Sequence, residues 1–129
     1  LRANTPEMLE LLISAGADIK GKVKLLNGPV FRGDMNFYNI LLQKGLKPNF
    51  DTFYWALAAN QFEMLKELSK IIGLTTKGTV SDTLLHTLAH MEQPSAKMVN
   101  FLIDAGIDVN ALNVIGKTPL HQAQFRMVL

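Results

Sequence analysis

The sequence contains no cysteine, and this excludes a disulfide framework, thiolate metal ligands and a cysteine nucleophile. Its apolar runs are only a few residues long, so none would cross a bilayer as a helix of about 20 apolar residues does. The glycine patterns that hold phosphate groups, GxGxxG and GxxxxGK[ST], are missing, and so are serine nucleophile motifs. A soluble domain without a recognisable catalytic motif is therefore expected.

What is present is enough apolar material for a core and only a small excess of positive charge. The chain has 129 residues, of which 48% are hydrophobic, and its net charge is +2. Such a charge does not by itself indicate binding to nucleic acid. The excess lies in residues 1–50, where Lys20, Lys22 and Lys24 are close together, and these lysines are interpreted as a solvated loop edge.

The first clear pattern, TPEMLELLISAGADI, predicts a helix from about Pro6 to Ala15. Thr5 is suited to accept a hydrogen bond from the first turn, and proline is favourable at the first helical position. Gly16 follows the last apolar residue and can end the helix in the left-handed region. The apolar face of this helix must pack against another element.

The same shape recurs, with an apolar helical pattern before Gly45, Gly73 and Gly106 as well as Gly16. These glycines are 29, 28 and 33 residues apart, and such an interval indicates stacked supersecondary units. Shorter helices are expected between them, at about Lys24 to Phe31, Asp51 to Ala59, Asp82 to Met91 and Thr118 to Arg126. Because alternating apolar and polar residues are scarce, the prediction is an all-α chain of helix pairs.

The segment Thr118-Pro119-Leu120-His121, with Gly116 before it and Ala123 after it, resembles the ankyrin repeat, a unit of about 33 residues made of a turn and two antiparallel helices. An earlier copy keeps Thr83, Leu85 and His86, and is followed by Gly106 at the end of its second helix. The resemblance implies a single ankyrin-like solenoid of stacked antiparallel helix pairs over residues 1–129, with at most short β-hairpin links. Its expected repeats are 1–20, 21–49, 50–74, 75–110 and 111–129, the first and last incomplete.

Departures from the family pattern carry their own expectations. Gly28-Pro29 falls where a helix former is usual, so the first helix of the second repeat should be short. The links after Ile19 and Asn49 are shorter than the link after Asn110. One well-developed β-hairpin finger is therefore expected, with its tip at Asn113, Val114, Ile115 and Lys117.

The resemblance also indicates where a partner would bind, because the first helix of each ankyrin repeat lines the concave side of the solenoid. Trp55, just before the small residue Ala56, would then point outward as a binding anchor. The alternative is that Phe53, Tyr54 and Trp55 form a repacked core, and both interpretations stay open at this point. The partner-binding candidates are Trp55, Tyr54, Thr87, His90, Gln122, Asn113, Val114, Ile115 and Lys117.

The histidines are not expected to bind a metal or to act in catalysis. In the family, the threonine and histidine of the signature bond to each other and to nearby backbone, which implies a structural role for His86 and His121. His90 lies one turn after His86 and is interpreted as an exposed residue, because two histidines without a third ligand make a poor zinc site. No cofactor, no metal and no enzymatic activity are expected.

The function implied is a non-catalytic protein–protein interaction module, a scaffold or adaptor in the cytoplasm, with a bacterial effector acting in the host cytosol as one form. A regulatory segment of a larger enzyme or membrane channel is the first alternative. Weak binding to acidic lipids or nucleic acid through Lys20, Lys22, Lys24 and Arg32 is the second. The array is expected to be a fragment of a longer one, whose uncapped ends allow self-association.

Overall fold

The computed structural model describes residues 5–74, 82–91 and 93–128, with side chains as far as Gln124. Within these residues all regular structure is helical, as predicted. A 3₁₀ helix, Val23–Leu26, and eight α-helices occur in the described chain: α1 Pro6–Ser14, α2 Asn27–Arg32, α3 Met35–Gln43, α4 Thr52–Ala58, α5 Phe62–Ser69, α6 Leu84–Ala89, α7 Ala96–Asp104 and α8 Pro119–Val128.

Helices α1, α3 and α7 begin and end in the same way. A side chain before each helix accepts a hydrogen bond from the backbone three residues on, as Asp34 Oδ1 does from the Phe37 N–H at 3.0 Å. At the other end Gly16, Gly45 and Gly106 have φ values of 101°, 101° and 93°. In each case the glycine N–H donates to the third residue before it, which satisfies a terminal carbonyl. The predicted glycine stops are confirmed there, whereas α5 ends at Ser69, four residues before Gly73.

The helices stack in two layers. Helices α2, α4, α6 and α8 form one layer, in which each contacts the next, and each of the first three also contacts the helix that follows it in the chain. Helices α1, α3, α5 and α7 form the second layer. In it α1 contacts α3, and the rings of Phe62 in α5 and Phe101 in α7 are in contact, with centroids 5.5 Å apart. The helix pairs therefore stack side by side, as predicted for a solenoid.

A continuous apolar core runs between the layers. Leu26, Leu41, Leu57, Leu65 and Leu102 have no accessible surface, and they come from successive helix pairs rather than from one pair. Each such side chain contributes about 1.5–3 kcal/mol when it leaves water. Because no pair encloses its own leucines, the free energy of this core depends on stacking.

Two local expectations had different outcomes. The helix at Gly28-Pro29 is short, as predicted, because Pro29 lies in the first turn of α2, where its missing N–H has no helical partner to lose. The prediction of a β-hairpin finger is wrong, because residues 110–117 contain turns and no strand. The Asn113 N–H donates to the Lys117 carbonyl at 2.9 Å and closes a tight turn instead.

Candidate functional site

The Thr83 to His86 corner begins α6 and ties it to the next helix pair. Thr83 Oγ1 accepts from the His86 N–H at 3.4 Å, and His86 Nδ1 accepts from the Thr83 N–H at 3.1 Å. Because Nδ1 is an acceptor, the ring proton is assigned to Nε2, which donates to the Lys117 carbonyl at 2.8 Å. His86 is fully buried, so the corner is a structural brace.

The second signature repeats this geometry in a different environment. The Thr118 N–H donates to His121 Nδ1 at 3.1 Å, and the His121 N–H donates to Thr118 Oγ1 at 3.2 Å. His121 is exposed and Leu120 is 67% exposed, whereas Leu85 at the equivalent place is buried. The corner bonds of both signatures are those implied by the resemblance.

Two partner-binding candidates, Asn113 and Gln122, are buried, contrary to the prediction that they are exposed to a partner. Asn113 is only 8% exposed, and its Oδ1 accepts from the N–H groups of Ile115 at 3.1 Å and Lys117 at 3.0 Å. Gln122 is 6% exposed. Asn113 therefore holds the 113–117 turn together, and neither side chain is available to a partner.

The other turn residues are on the surface. Val114, Ile115 and Lys117 are exposed, as expected, and Gly116 has φ of 77°, which allows the turn to close. Among the remaining signature positions, Ala123 is half-buried and Pro119 is half-buried at the start of α8. Val114 and Ile115 form an apolar tip that no described side chain covers.

A concavity of the described surface lies between α4 and α6. It has a volume of about 670 Å³ and is lined by Phe50, Asp51, Tyr54, Trp55, Ala58, Asp82, Leu84, Thr87, His90 and Met91. The first five precede or belong to α4, and the others flank or belong to α6. We refer to it as the α4–α6 groove. Four of the sequence candidates, Tyr54, Trp55, Thr87 and His90, line it together.

Trp55 belongs to the surface and not to the core. It is 37% exposed and Tyr54 is 55% exposed, while Phe53 between the helices is fully buried. The Tyr54 and Trp55 rings are perpendicular, with centroids 5.9 Å apart, and Phe31 of α2 meets Trp55 edge-on at 6.3 Å. Three exposed aromatic rings thus form a row across α2 and α4, and the row ends in the groove.

Some groove residues were missed in the sequence. Asp51 directly precedes α4 and Asp82 lies two residues before α6, in Asp-Thr dipeptides 31 residues apart. That repeated dipeptide was the available signal. Phe31 offered no such sign, because only the stacking of neighbouring pairs brings it beside Trp55.

The groove carries negative charge in a chain whose net charge is +2. Asp51 and Asp82 are the carboxylates among its described lining residues, and none of those residues is lysine or arginine. No ion pair to either aspartate occurs within 5–74, 82–91 and 93–128. Asp51 also makes no capping hydrogen bond to α4. Both carboxylates are therefore available to an external cation.

The basic N-terminal residues have a different arrangement. Lys20, Lys22 and Lys24 are exposed around the 3₁₀ helix. Arg32 is not free, because its Nη2 is 3.6 Å from Asp34 Oδ2 and its guanidinium lies 5.6 Å from the centre of the Phe37 ring. The four residues thus do not present four uncommitted cations.

Among the described residues, no group of three His, Cys, Asp or Glu side chains is arranged to hold a metal ion. None of the described helices is long and apolar enough to cross a membrane.

Comparison with known proteins identifies one segment. Residues 81–114, which include α6, α7 and the turn after them, match the ankyrin repeat family. This segment is similar to an ankyrin repeat. No curated protein matches the chain. Ankyrin repeats bind other proteins, and the α6 wall of the groove belongs to this repeat.

Proposed function

We propose that the chain is a non-catalytic protein-binding module and that the α4–α6 groove is its binding surface, with Trp55 as the anchor. The observation that carries the proposal is the position of Trp55, which is exposed in a concavity of the described surface, beside the segment that matches the ankyrin repeat family. Large aromatic residues at the centre of a concave surface contribute most to binding free energies.

The stacked helices support this role because they fix the groove before contact. Trp55 is held by Tyr54 and Phe31, and the helices that carry the lining residues pack on a continuous core. Little conformational entropy would be lost when a partner binds such a surface. The wider forms of the proposal are a cytoplasmic scaffold or adaptor, a bacterial effector in a host cell, and a regulatory segment of a larger enzyme or channel.

The repeat division 1–20, 21–49, 50–74, 75–110 and 111–129 is part of the same proposal, since the groove would then lie between the third and fourth repeats. Binding of acidic lipid or nucleic acid has less support. Arg32 is already paired with Asp34 and Phe37, and the groove itself is acidic.

Replacing Trp55 by alanine tests the function. Immobilised wild-type chain and Trp55→Ala are each incubated with cell extract, and retained proteins are crosslinked and quantified by mass spectrometry. Loss of a central aromatic anchor should weaken capture of a specific partner by about 30-fold, corresponding to about 2 kcal/mol. Circular dichroism checks that the variant is folded.

Ile103→Ala is the matched control, because Ile103 is an exposed apolar residue of α7 in the other helix layer. It should retain the same partner as the wild type. Undiminished capture by Trp55→Ala would reject the groove as the binding surface.

A further inference from the structure

We infer that the α4–α6 groove takes a basic segment of another protein, in which an arginine guanidinium lies against Trp55 and Tyr54 and pairs with Asp51 and Asp82. This inference rests on the proposed protein-binding function and deepens it, because it assigns the chemistry of the partner. Its basis is the combination of an aromatic corner and unpaired carboxylates in one concavity.

The aromatic corner favours a cation. The Tyr54 and Trp55 ring planes are perpendicular with centroids 5.9 Å apart, so a group that enters the corner between them can contact both rings. The face of an aromatic ring is negative and attracts a cation within about 6 Å of its centre, most strongly for tryptophan. The chain already uses this contact elsewhere, where Lys97 Nζ lies 4.7 Å from the centre of the Phe62 ring.

The carboxylates supply the complementary charge. Asp51 lies one turn before Tyr54 and Trp55, and Asp82 lines the opposite side of the groove from the segment just before α6. Neither has an ion-pair partner in the described part of the chain. An anionic ligand such as nucleic acid would be repelled here, whereas a cation is attracted by both walls of the groove.

Arginine fits the site better than lysine. The apolar walls provided by Leu84, Met91 and Ala58 remove water from whatever enters, and a guanidinium is more weakly hydrated than an ammonium group. A guanidinium also stacks flat on an indole ring while its N–H groups donate to a carboxylate. Both interactions are available at this corner.

The ligand is a peptide segment rather than a single amino acid because the aromatic row extends outside the groove. Phe31, on α2, is 6.3 Å from Trp55 and is exposed. A chain that places one arginine in the groove would therefore lay its neighbouring residues along Phe31. The shape indicates an extended segment that crosses α4.

Trp55 is the only tryptophan, so its fluorescence reports binding directly. The full chain is titrated with a capped peptide of about seven residues that contains two arginines among alanine and glycine. The arginine peptide should change Trp55 emission with a Kd below about 1 mM, and raising the salt from about 50 to about 500 mM should weaken it by about fivefold or more. The same peptide with lysine should bind more weakly, and the peptide with uncharged citrulline should not bind.

The carboxylates are tested with the double variant Asp51→Asn, Asp82→Asn, in which shape is kept and charge is removed. The affinity for the arginine peptide should fall by about tenfold. Glu63→Gln with Asp104→Asn is the matched control, since it removes the same charge from exposed positions on α5 and α7. That variant should bind the peptide as the wild type does.

Several results would overturn the inference. These are citrulline or lysine peptides that bind as well as the arginine peptide, an equal response of the two double variants, or free arginine that binds as tightly as the peptide. If Trp55 emission changes with protein concentration in the absence of peptide, the groove is occupied by a second copy of this chain, which would bind through its exposed lysines.

Failure of the inference is distinguishable from failure of the proposed function. If Trp55→Ala abolishes capture of a protein partner while the Asp51→Asn, Asp82→Asn variant captures it normally, the groove remains the binding surface and the cationic ligand is rejected. If Trp55→Ala has no effect on capture, the function itself fails.

Discussion

At the scale of single residues, Tyr38 places a polar hydroxyl group in an apolar environment. It lies in α3 within the core, and its hydroxyl is buried with no hydrogen-bond partner among the described residues. Burial, and secondarily the negative charge of Glu67, raises the pKa of Tyr38 from 10.0 to about 12. The tyrosine contributes its ring to the core and a desolvated polar group as a cost.

Replacing Tyr38 by phenylalanine should raise the free energy of unfolding by about 1 kcal/mol at neutral pH, because an unsatisfied buried hydroxyl is removed without loss of ring packing. Urea denaturation followed by circular dichroism measures the change. Tyr54→Phe, at an exposed tyrosine, should leave stability unaltered. Destabilisation by Tyr38→Phe would show that the hydroxyl is hydrogen-bonded in solution.

The same variant has a pH signature of determined sign. Between pH 10 and about 12 the unfolded chain has released the Tyr38 proton and the folded chain still holds it. The unfolding free energy of the wild type therefore falls as the pH rises through that range. Tyr38→Phe lacks this contribution, so its stability advantage should grow above pH 10, and an advantage that stays constant would contradict the assigned pKa.

At the scale of helices, the ends are well specified and one of them depends on a long-range contact. Gly33 ends α2 with φ of 72°, and Gln61 from the start of the α5 segment packs over it. Gln61 Nε2 donates to the Phe31 carbonyl at 3.0 Å, which ties the end of α2 to the next pair. A Cβ atom at residue 33 would lie 2.5 Å from Gln61 Oε1.

Alanine at Gly33 and at Gly21 should therefore have different costs. Gly21 has nearly the same φ, 71°, but no atom lies within 4 Å of its Cβ position, so Gly21→Ala meets only the left-handed backbone strain of about 1–2 kcal/mol. Gly33→Ala should cost about 1 kcal/mol more, since Gln61 must move and its hydrogen bond is lost. Chemical denaturation compares the two variants.

The Gln61→Ala background is the control for this comparison. Without the glutamine side chain, alanine at residues 33 and 21 should destabilise the chain equally. A difference that persists in that background would place the conflict in the backbone and not at Gln61.

At the scale of the whole molecule, the sequence specifies the repeating unit better than the surface that the units make together. Thr5, Asp34 and Gly45 fix helix ends through local hydrogen bonds, so the helix pairs were predictable from short segments. The length of the link predicted a hairpin at residues 113–117. That length does not indicate that the Asn113 side chain closes a tight turn there instead.

The groove could be predicted from the sequence only in part. Trp55 was recognised from its place beside Ala56, but its exposure depends on how α2, α4 and α6 stack. Asp51 and Asp82 come from different helix pairs, and only the relative position of those pairs puts both carboxylates in one concavity. A groove that two repeats form together therefore cannot be predicted from the sequence pattern of either repeat alone.

His86 couples α6 to the turn that precedes α8, and its replacement should show how cooperative the solenoid is. His86→Ala removes the acceptor of the Thr83 N–H and the donor to the Lys117 carbonyl, and leaves a buried space in α6. A loss of about 2–4 kcal/mol in the unfolding free energy is expected from these combined effects. His121→Ala removes the same local corner at an exposed site and should cost about 1 kcal/mol.

Hydrogen exchange distinguishes loss of coupling from uniform weakening. Because the Lys117 carbonyl joins His86 to the turn that precedes α8, His86→Ala should speed exchange of the α8 amides much more than that of the α4 amides. His121→Ala should change the exchange of α8 alone, and only slightly. Equal acceleration of both helices in His86→Ala would mean that the chain unfolds as one cooperative unit, in which this histidine braces no particular junction.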